Sequence, residues 1–277
     1  LTYLSISHNK ISSLGPACFQ NLGNLCWLHL QHNELREVHS QWFIGQNKLE
    51  ELYLGGNKIE TVLPDTFECL IELKLLDISN NDIVCLQEET FRGLQNIDRV
   101  VLGGANFGML SPQKLAAINP SSLRRLVLIQ SGITEIGSAT FEVFQGLEYL
   151  YLDHNMLTHI PSKWHSDTHV RGEYTLTYLS ISHNKISSLD PACFQNLGNL
   201  RWLHLQHNEL REVHSQWFIG QNKLEELYLG GNKIETVLPD TFECLIELKL
   251  LDISNNDIVC LQEETFRGLQ NIDRVVL

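Results

Sequence analysis

Twelve histidines and 33 acidic residues are the side chains of this 277-residue chain most able to do chemistry, so their spacing comes first. Catalysis needs a nucleophile, a base and an orienting third group brought together, and no stretch of the sequence supplies that constellation. Gly55-Gly56 and Gly103-Gly104 lack the strand-to-helix pattern of a phosphate loop, and no dinucleotide motif is present. The reading is therefore non-enzymatic, with no cofactor. His165 and His169 have the four-residue spacing of a metal pair, with His159 and Asp167 nearby; the simpler alternative is a solvated loop. His154, His183 and His207 recur at one position taken to be an outward-facing strand site, as do His8 and His32. Neighbouring strands lie about 4.8 Å apart, so protonating all three would set like charges side by side. The competing reading is exposed histidines inherited with a repeated template.

The elements that position these residues follow from a period. The frame L-x-x-L-x-L-x-x-N-x-[IL]-x-x-[LV] opens at Leu1 and recurs from Leu25, Leu49, Leu73, Leu147, Leu176, Leu200, Leu224 and Leu248. Degenerate copies begin at Ile97 and Leu123, and Ile272 starts a truncated one. Most units are 24 residues long; those from Ile97 and Leu147 have 26 and 29. Alternating apolar residues such as Leu28 and Leu30 predict a short strand with those side chains inward. One strand cannot shield its own apolar face, so successive units must stack into a parallel sheet on a curved solenoid. Phe19, Phe43, Phe67, Phe91, Phe141, Phe194, Phe218, Phe242 and Phe266 predict a second apolar column on the convex side. Leu115 takes that place in one degenerate repeat, and His165, beside Trp164, in the longest.

A polar residue at a fixed place in an apolar frame needs partners, because an unpaired buried amide costs about 1–3 kcal/mol. Asn9, Asn33, Asn57, Asn81, Asn155, Asn184, Asn208, Asn232 and Asn256 predict a ladder bonding the backbone of adjacent turns, interrupted at Ala105 and Ser131. Packing is expected to be less regular there.

With this frame, and with segments such as PACFQNLGNL and DTFECLIELKLLDISNNDI, the chain resembles the leucine-rich-repeat family in its 24-residue class. The resemblance covers the whole length. It implies an α/β-type repeat solenoid, one horseshoe over residues 1–277, with a parallel concave sheet and a convex side of loops and short helices. It also implies an extracellular or cell-surface recognition module of the Toll-like or variable-lymphocyte-receptor kind. The cysteine clusters that cap such proteins are absent from this sequence. Leu1 already lies inside the frame, so the chain reads as a mature portion or a fragment.

Residues 1–102 recur as 176–277 with two differences, Gly15 against Asp190 and Cys26 against Arg201. Identity extending to strings read as exposed, such as REVHSQW, signals recent duplication or deliberate construction. Seven cysteines form an odd set without cap-like spacing and read as mostly buried free thiols, with Cys26 the exposed exception. No N-x-[ST] acceptor site occurs, since Asn119 is followed by Pro120.

The net charge of −13 disfavours nucleic acid and anionic lipid, and no apolar run reaches the length of a membrane-spanning helix. Large rings fall at strand positions that the leucine frame leaves outward: Tyr3, Trp27, Tyr53, Tyr149, Tyr151, Tyr178, Trp202 and Tyr228. Glu51, Asp77, Arg99, Arg125, Glu226 and Asp252 are interspersed, a mixture common in protein interfaces. Some of the rings could merely cover one another. The expected ligand site is Tyr149, Tyr151, Asp153, His154, Tyr178, His183, Arg201, Trp202, His204, His207, Glu226 and Tyr228, for a protein or other macromolecular ligand. The competing class is a homo-oligomeric assembly protein stacking through uncapped ends.

Overall fold

The computed structural model describes residues 1–83, 86–87, 89–118, 121–165 and 174–277. It divides into two compact units, residues 1–107 with 112–132, and residues 108–111 with 133–277. The strands expected from the leucine frame are all present, each three residues long. In the first unit they are Tyr3–Ser5, Trp27–His29, Glu51–Tyr53, Leu75–Asp77, Arg99–Val101 and Arg125–Val127. In the second they are Tyr149–Tyr151, Tyr178–Ser180, Trp202–His204, Glu226–Tyr228, Leu250–Asp252 and Arg274–Val276. Within each unit they pair in parallel and in sequence order, with Leu4 opposite Leu28 and Leu52, and Leu179 opposite Leu203 and Leu227. The identical register keeps every central leucine on the core side, and Leu28, Leu52, Leu203 and Leu227 are fully buried.

Among the described residues, the side opposite the sheet carries almost no helix. Its regular elements are one helical turn at Pro112–Leu115, 3-10 turns at Ser40–Phe43 and Ser215–Phe218, and two-residue strands such as Glu212–Val213. The phenylalanine column forms as expected: Phe43 and Phe67 are 6.1 Å apart between ring centroids, Phe218 and Phe242 6.2 Å. Phe266 alone is only partly covered. In the long repeat Trp164 packs edge-on to Phe141 at 5.5 Å and donates its indole N–H to the Cys193 carbonyl at 2.9 Å. His165 is buried beside it.

Two expectations need correction. REVHSQW is not an exposed string throughout: Val38 and Trp42 are buried, and Trp42 donates to the Leu14 carbonyl of the preceding turn at 3.1 Å. The thiols are free among the described residues, but Cys18, Cys69, Cys244 and Cys260 are exposed, Cys26 is half-buried and only Cys193 is buried. Cys69 and Cys244 follow the buried phenylalanine by two residues, on the outward side of the loop. Cys18 and Cys193 have the same place in their repeats, and the Cys193 turn lies against Trp164 of the long repeat. Cys85 lies outside the described residues.

The asparagine ladder explains how short strands and loops hold a common register. Asn208 Oδ1 accepts the Ile186 amide at 3.0 Å, and its Nδ2 donates to the Ile181 and Leu205 carbonyls, each at 3.0 Å. One side chain thus satisfies two groups of the preceding turn and one of its own. Asn33, Asn57, Asn81 and Asn184 repeat the pattern. At Ser131 the interruption is partial, for the buried hydroxyl reaches the Leu102 and Ile129 carbonyls at 3.4 and 3.3 Å. Ala105 has no polar side chain to offer. The residue before the ladder position is left-handed, with φ of 54° at His32, 56° at His207 and 66° at Gly231. That conformation favours Gly, Asn and His, and it turns the chain out of the strand.

Replacing Asn208 with Ala is expected to destabilise the protein by more than about 1 kcal/mol, since it strands buried backbone groups on two turns. A denaturant midpoint unchanged from the parent would contradict this, and Ser131→Ala is expected to cost less. A second expectation concerns acid. Burial pushes the His165 imidazole down to about 4, below its ordinary 6.5, so the unfolded chain binds the extra proton first. Stability is then complete above pH 6.5 and falls as pH drops toward 4, by about 2 kcal/mol between pH 7 and 5 from this group. The Lys58 and Lys233 partners lower the carboxyls of Glu34 and Glu209, so their contributions are lost only in stronger acid. Urea titrations at pH 7 and 5 would show the drop, and His165→Leu is expected to flatten it.

Candidate ligand-binding surface

In the second unit, strand alternation turns Tyr149, Tyr151, Tyr178, Trp202, His204, Glu226 and Tyr228 to the face opposite the buried leucines, each half-buried. The rings form a file across the strands. Tyr151 and Tyr178 are 4.9 Å apart between centroids, Tyr178 and His204 5.0 Å, His204 and Tyr228 4.4 Å, and Tyr149 lies 6.0 Å from Tyr178. Register explains the convergence. Ser180 stands directly opposite both Tyr151 and His204, and its small buried side chain lets Tyr178 lean diagonally toward each. Tyr228 donates its hydroxyl to Glu226 at 2.6 Å, and Gln206 lies 3.3 Å from the nearer His204 ring nitrogen. Burial, and then the Glu226 hydrogen bond, push the Tyr228 phenol up to about 12; burial does the same for Tyr178. Burial also lowers the His204 imidazole.

The remaining expected site residues are placed differently. Asp153 is buried and accepts from the Ser182 amide at 3.0 Å and from the hydroxyls of Ser180 and Ser182. It ties one turn to the next beneath the rings. His154, His183 and His207 are exposed, but not on strands: they occupy the left-handed turns just after them, with φ of 56°, 51° and 56°. Their rings stack face to face along one border of the sheet, at 4.2 and 4.3 Å. Partial burial, with the neighbouring His154 and His207, lowers the His183 imidazole. The stack stops at Gly231, where a Cβ would lie 2.5 Å from the His207 ring. Arg201 sits at the opposite border, just before its strand, and pairs with Glu225. Glu225 also binds Lys249 at 2.6 Å; Lys249, then Arg201, hold its carboxyl below the usual range.

The first unit repeats the file. Tyr3, His29 and Tyr53 stack at 5.0 and 4.4 Å, Tyr53 donates to Glu51 at 2.6 Å, and His8 and His32 stack at 4.4 Å. Cys26 replaces Arg201, so Glu50 has its ion pair to Lys74 without the arginine. His29 was not singled out by the sequence pattern, although its 24-residue relation to Tyr53 and Tyr3's two-residue offset would have placed it between them. His169 and Asp167, the centre of the metal reading, lie outside the described residues. Among the described ones no group of three metal-ligating side chains is assembled, and His159 contacts Ser188 and Asp190 at 2.8 and 3.2 Å.

Comparison with known proteins agrees with this architecture. Rabbit (Oryctolagus cuniculus) lumican is 30% identical over 201 residues, which cover 71% of this chain and 71% of lumican. Human podocan-like protein 1 is 35% identical over 92 residues, 32% of this chain and 16% of that protein. Among solved structures, the Drosophila Toll–Spatzle complex overlays 95% of this chain with a TM-score of 0.80 at 22% identity. A TLR13–ssRNA13 complex overlays all of it with a TM-score of 0.68 at 23% identity. This chain spans 34% and 36% of those two chains. The leucine-rich-repeat model matches residues 1–59, 47–107, 121–170, 165–210, 199–258 and 222–277, so the chain belongs to the leucine-rich-repeat family.

Proposed function

We propose that this chain is a non-enzymatic extracellular recognition module, of the receptor type to which Toll is similar, that binds a protein ligand on the outward face of its strands. The file Tyr151–Tyr178–His204–Tyr228 carries the reading. It places rings that require no further burial to keep their geometry, with Trp202 beside them and Glu226 at the margin. Tyr, Trp and Arg dominate binding hot spots because they bury much area at small entropic cost. A protein partner is favoured over nucleic acid by the net charge of −13, which repels a phosphate backbone. The relatives support the class: lumican is similar to this chain in sequence and Toll in fold, and the Toll structure is a complex with Spatzle. The file of the second unit, where Arg201 stands in the place of Cys26, is the principal site.

A photo-crosslinking residue at Trp202, compared with one at exposed Cys244 on the other side, would identify the ligand from extracellular fluid. With the purified partner, Trp202→Ala is expected to weaken binding by about 2 kcal/mol or more and Trp27→Ala by less. Loss at neither position would move the site off this face.

A further inference from the structure

Nucleophile, base and orienting group do not occur together along the sequence, but the stacking of turns brings one of each together in the second unit. His159 lies in the two-residue strand His159–Ile160 and Ser188 in Ser188–Leu189, and the two stand directly opposite in parallel register. Ile160 and Leu189 are buried, so alternation turns His159 and Ser188 outward. Ser188 Oγ lies 2.8 Å from His159 Nδ1, and Asp190 Oδ1 lies 3.2 Å from His159 Nε2. The other Asp190 oxygen, Oδ2, accepts the Ser162 amide at 2.9 Å, which holds the carboxylate against the preceding turn. An ionised carboxylate can only accept, so Nε2 carries the proton of the neutral ring. Nδ1 then turns its lone pair toward Ser188, whose hydroxyl donates to it. The three side chains are ordered as nucleophile, base and orienter.

The arrangement is local to this joint. His39 and His214, which follow the corresponding short strands elsewhere, meet Glu37 and Glu212 at 3.1 and 3.0 Å. Among the described residues neither has a hydroxyl on its other ring nitrogen. In the first copy Ser13 has the place of Ser188, but Gly15 has that of Asp190, so the orienting carboxylate is missing. Toward the preceding turn, His159 borders a groove of about 710 Å³ lined also by Met109, Ile136, Pro161 and Lys163. Exposed Met109 and half-buried Pro161 give an acyl chain apolar surface to lie on beside the base.

We infer that Ser188 is an acyl-accepting nucleophile, activated by His159 and oriented through Asp190, for carboxylic esters with a good leaving group. Ser188 Oγ attacks the ester carbonyl carbon, and its proton passes to His159 Nδ1. As the carbonyl re-forms, the bond from that carbon to the leaving oxygen breaks, and the leaving group departs with the bonding pair and takes the proton from Nδ1. The products are one serine ester and one alcohol or phenol, with nothing oxidised or reduced. Acceptance of a single acyl group makes this a modification site on a recognition module, separate from the strand face and independent of what binds there.

The probe is p-nitrophenyl acetate, added to the full chain at neutral pH. Tandem mass spectrometry after tryptic digestion locates the acetyl group, and Gly15 against Asp190 gives the peptides carrying Ser13 and Ser188 different masses. Ser188 is expected to be acetylated faster than Ser13 by about tenfold or more. His159→Gln removes the base and is expected to bring Ser188 down to the Ser13 rate. Asp190→Asn keeps an acceptor for the Ser162 amide but presents an N–H to the ring, which favours the other tautomer. It is expected to give the same loss with an unchanged melting curve, an effect that a merely structural aspartate would not have. Should either variant fail to fold, Asp190→Gly, which introduces the residue of the first copy, takes its place with the same expected loss. Equal rates at Ser188 and Ser13, full labelling of Ser188 in either variant, or an acetyl group on His159 or Lys163 in place of Ser188 would each overturn the proposal.

Discussion

The amide of a single asparagine, repeated once per turn, is the contact on which the rest of this structure depends. Three-residue strands contribute too few hydrogen bonds to fix their own register, and the loops opposite them contribute fewer. By accepting from one main-chain amide of the preceding turn and donating to a carbonyl on each of two turns, Asn208 and its equivalents make the spacing between turns a matter of hydrogen-bond length. Leucines can then stack without slipping, and the outward positions of each strand acquire predictable neighbours. The file of rings from Tyr151 to Tyr228 exists because of that regularity.

What was legible in the sequence was whatever the period imposes. Leu28 and Leu203, Phe43 and Phe218, and the ladder asparagines Asn33, Asn57, Asn81, Asn155, Asn184, Asn208 and Asn232 must serve the same purpose in each copy, so their repetition announces their burial. Effects that depend on two unlike turns meeting were not legible. Asp153 looks like an outward acidic residue, yet the serines that bury it, Ser180 and Ser182, lie in the next turn, 27 and 29 residues on. His154, His183 and His207 read as strand residues because nothing in their spacing reveals that each strand ends three residues before them, at Tyr151, Ser180 and His204, and that the histidine itself sits in a left-handed turn. Trp42 was hidden in a polar string because a single 3-10 turn swings it inward against Leu14.

The two differences between the duplicated halves are also intelligible only through neighbours. Asp190 accepts the Ser162 amide at 2.9 Å and lies 3.2 Å from His159, both in the preceding long repeat. Arg201 adds a second cation to Glu225, which Lys249 already binds. Both substitutions strengthen contact between adjacent turns while leaving the duplicated frame intact. The two halves thus differ only at side chains that bridge adjacent turns.

The imidazole stack that ends at Gly231 shows how one residue per turn can end a row of contacts. A left-handed turn carries whichever side chain the sequence supplies there, so stacked rings extend only as far as consecutive turns supply histidine. Glycine supplies no ring, and a Cβ at position 231 or 56 would lie 2.5 Å from the histidine of the preceding turn, so that ring lies against glycine backbone instead. The border of each unit therefore changes from an aromatic ribbon to bare main chain within a single turn, which makes the identity of one residue per turn the boundary of the surface a partner could read there.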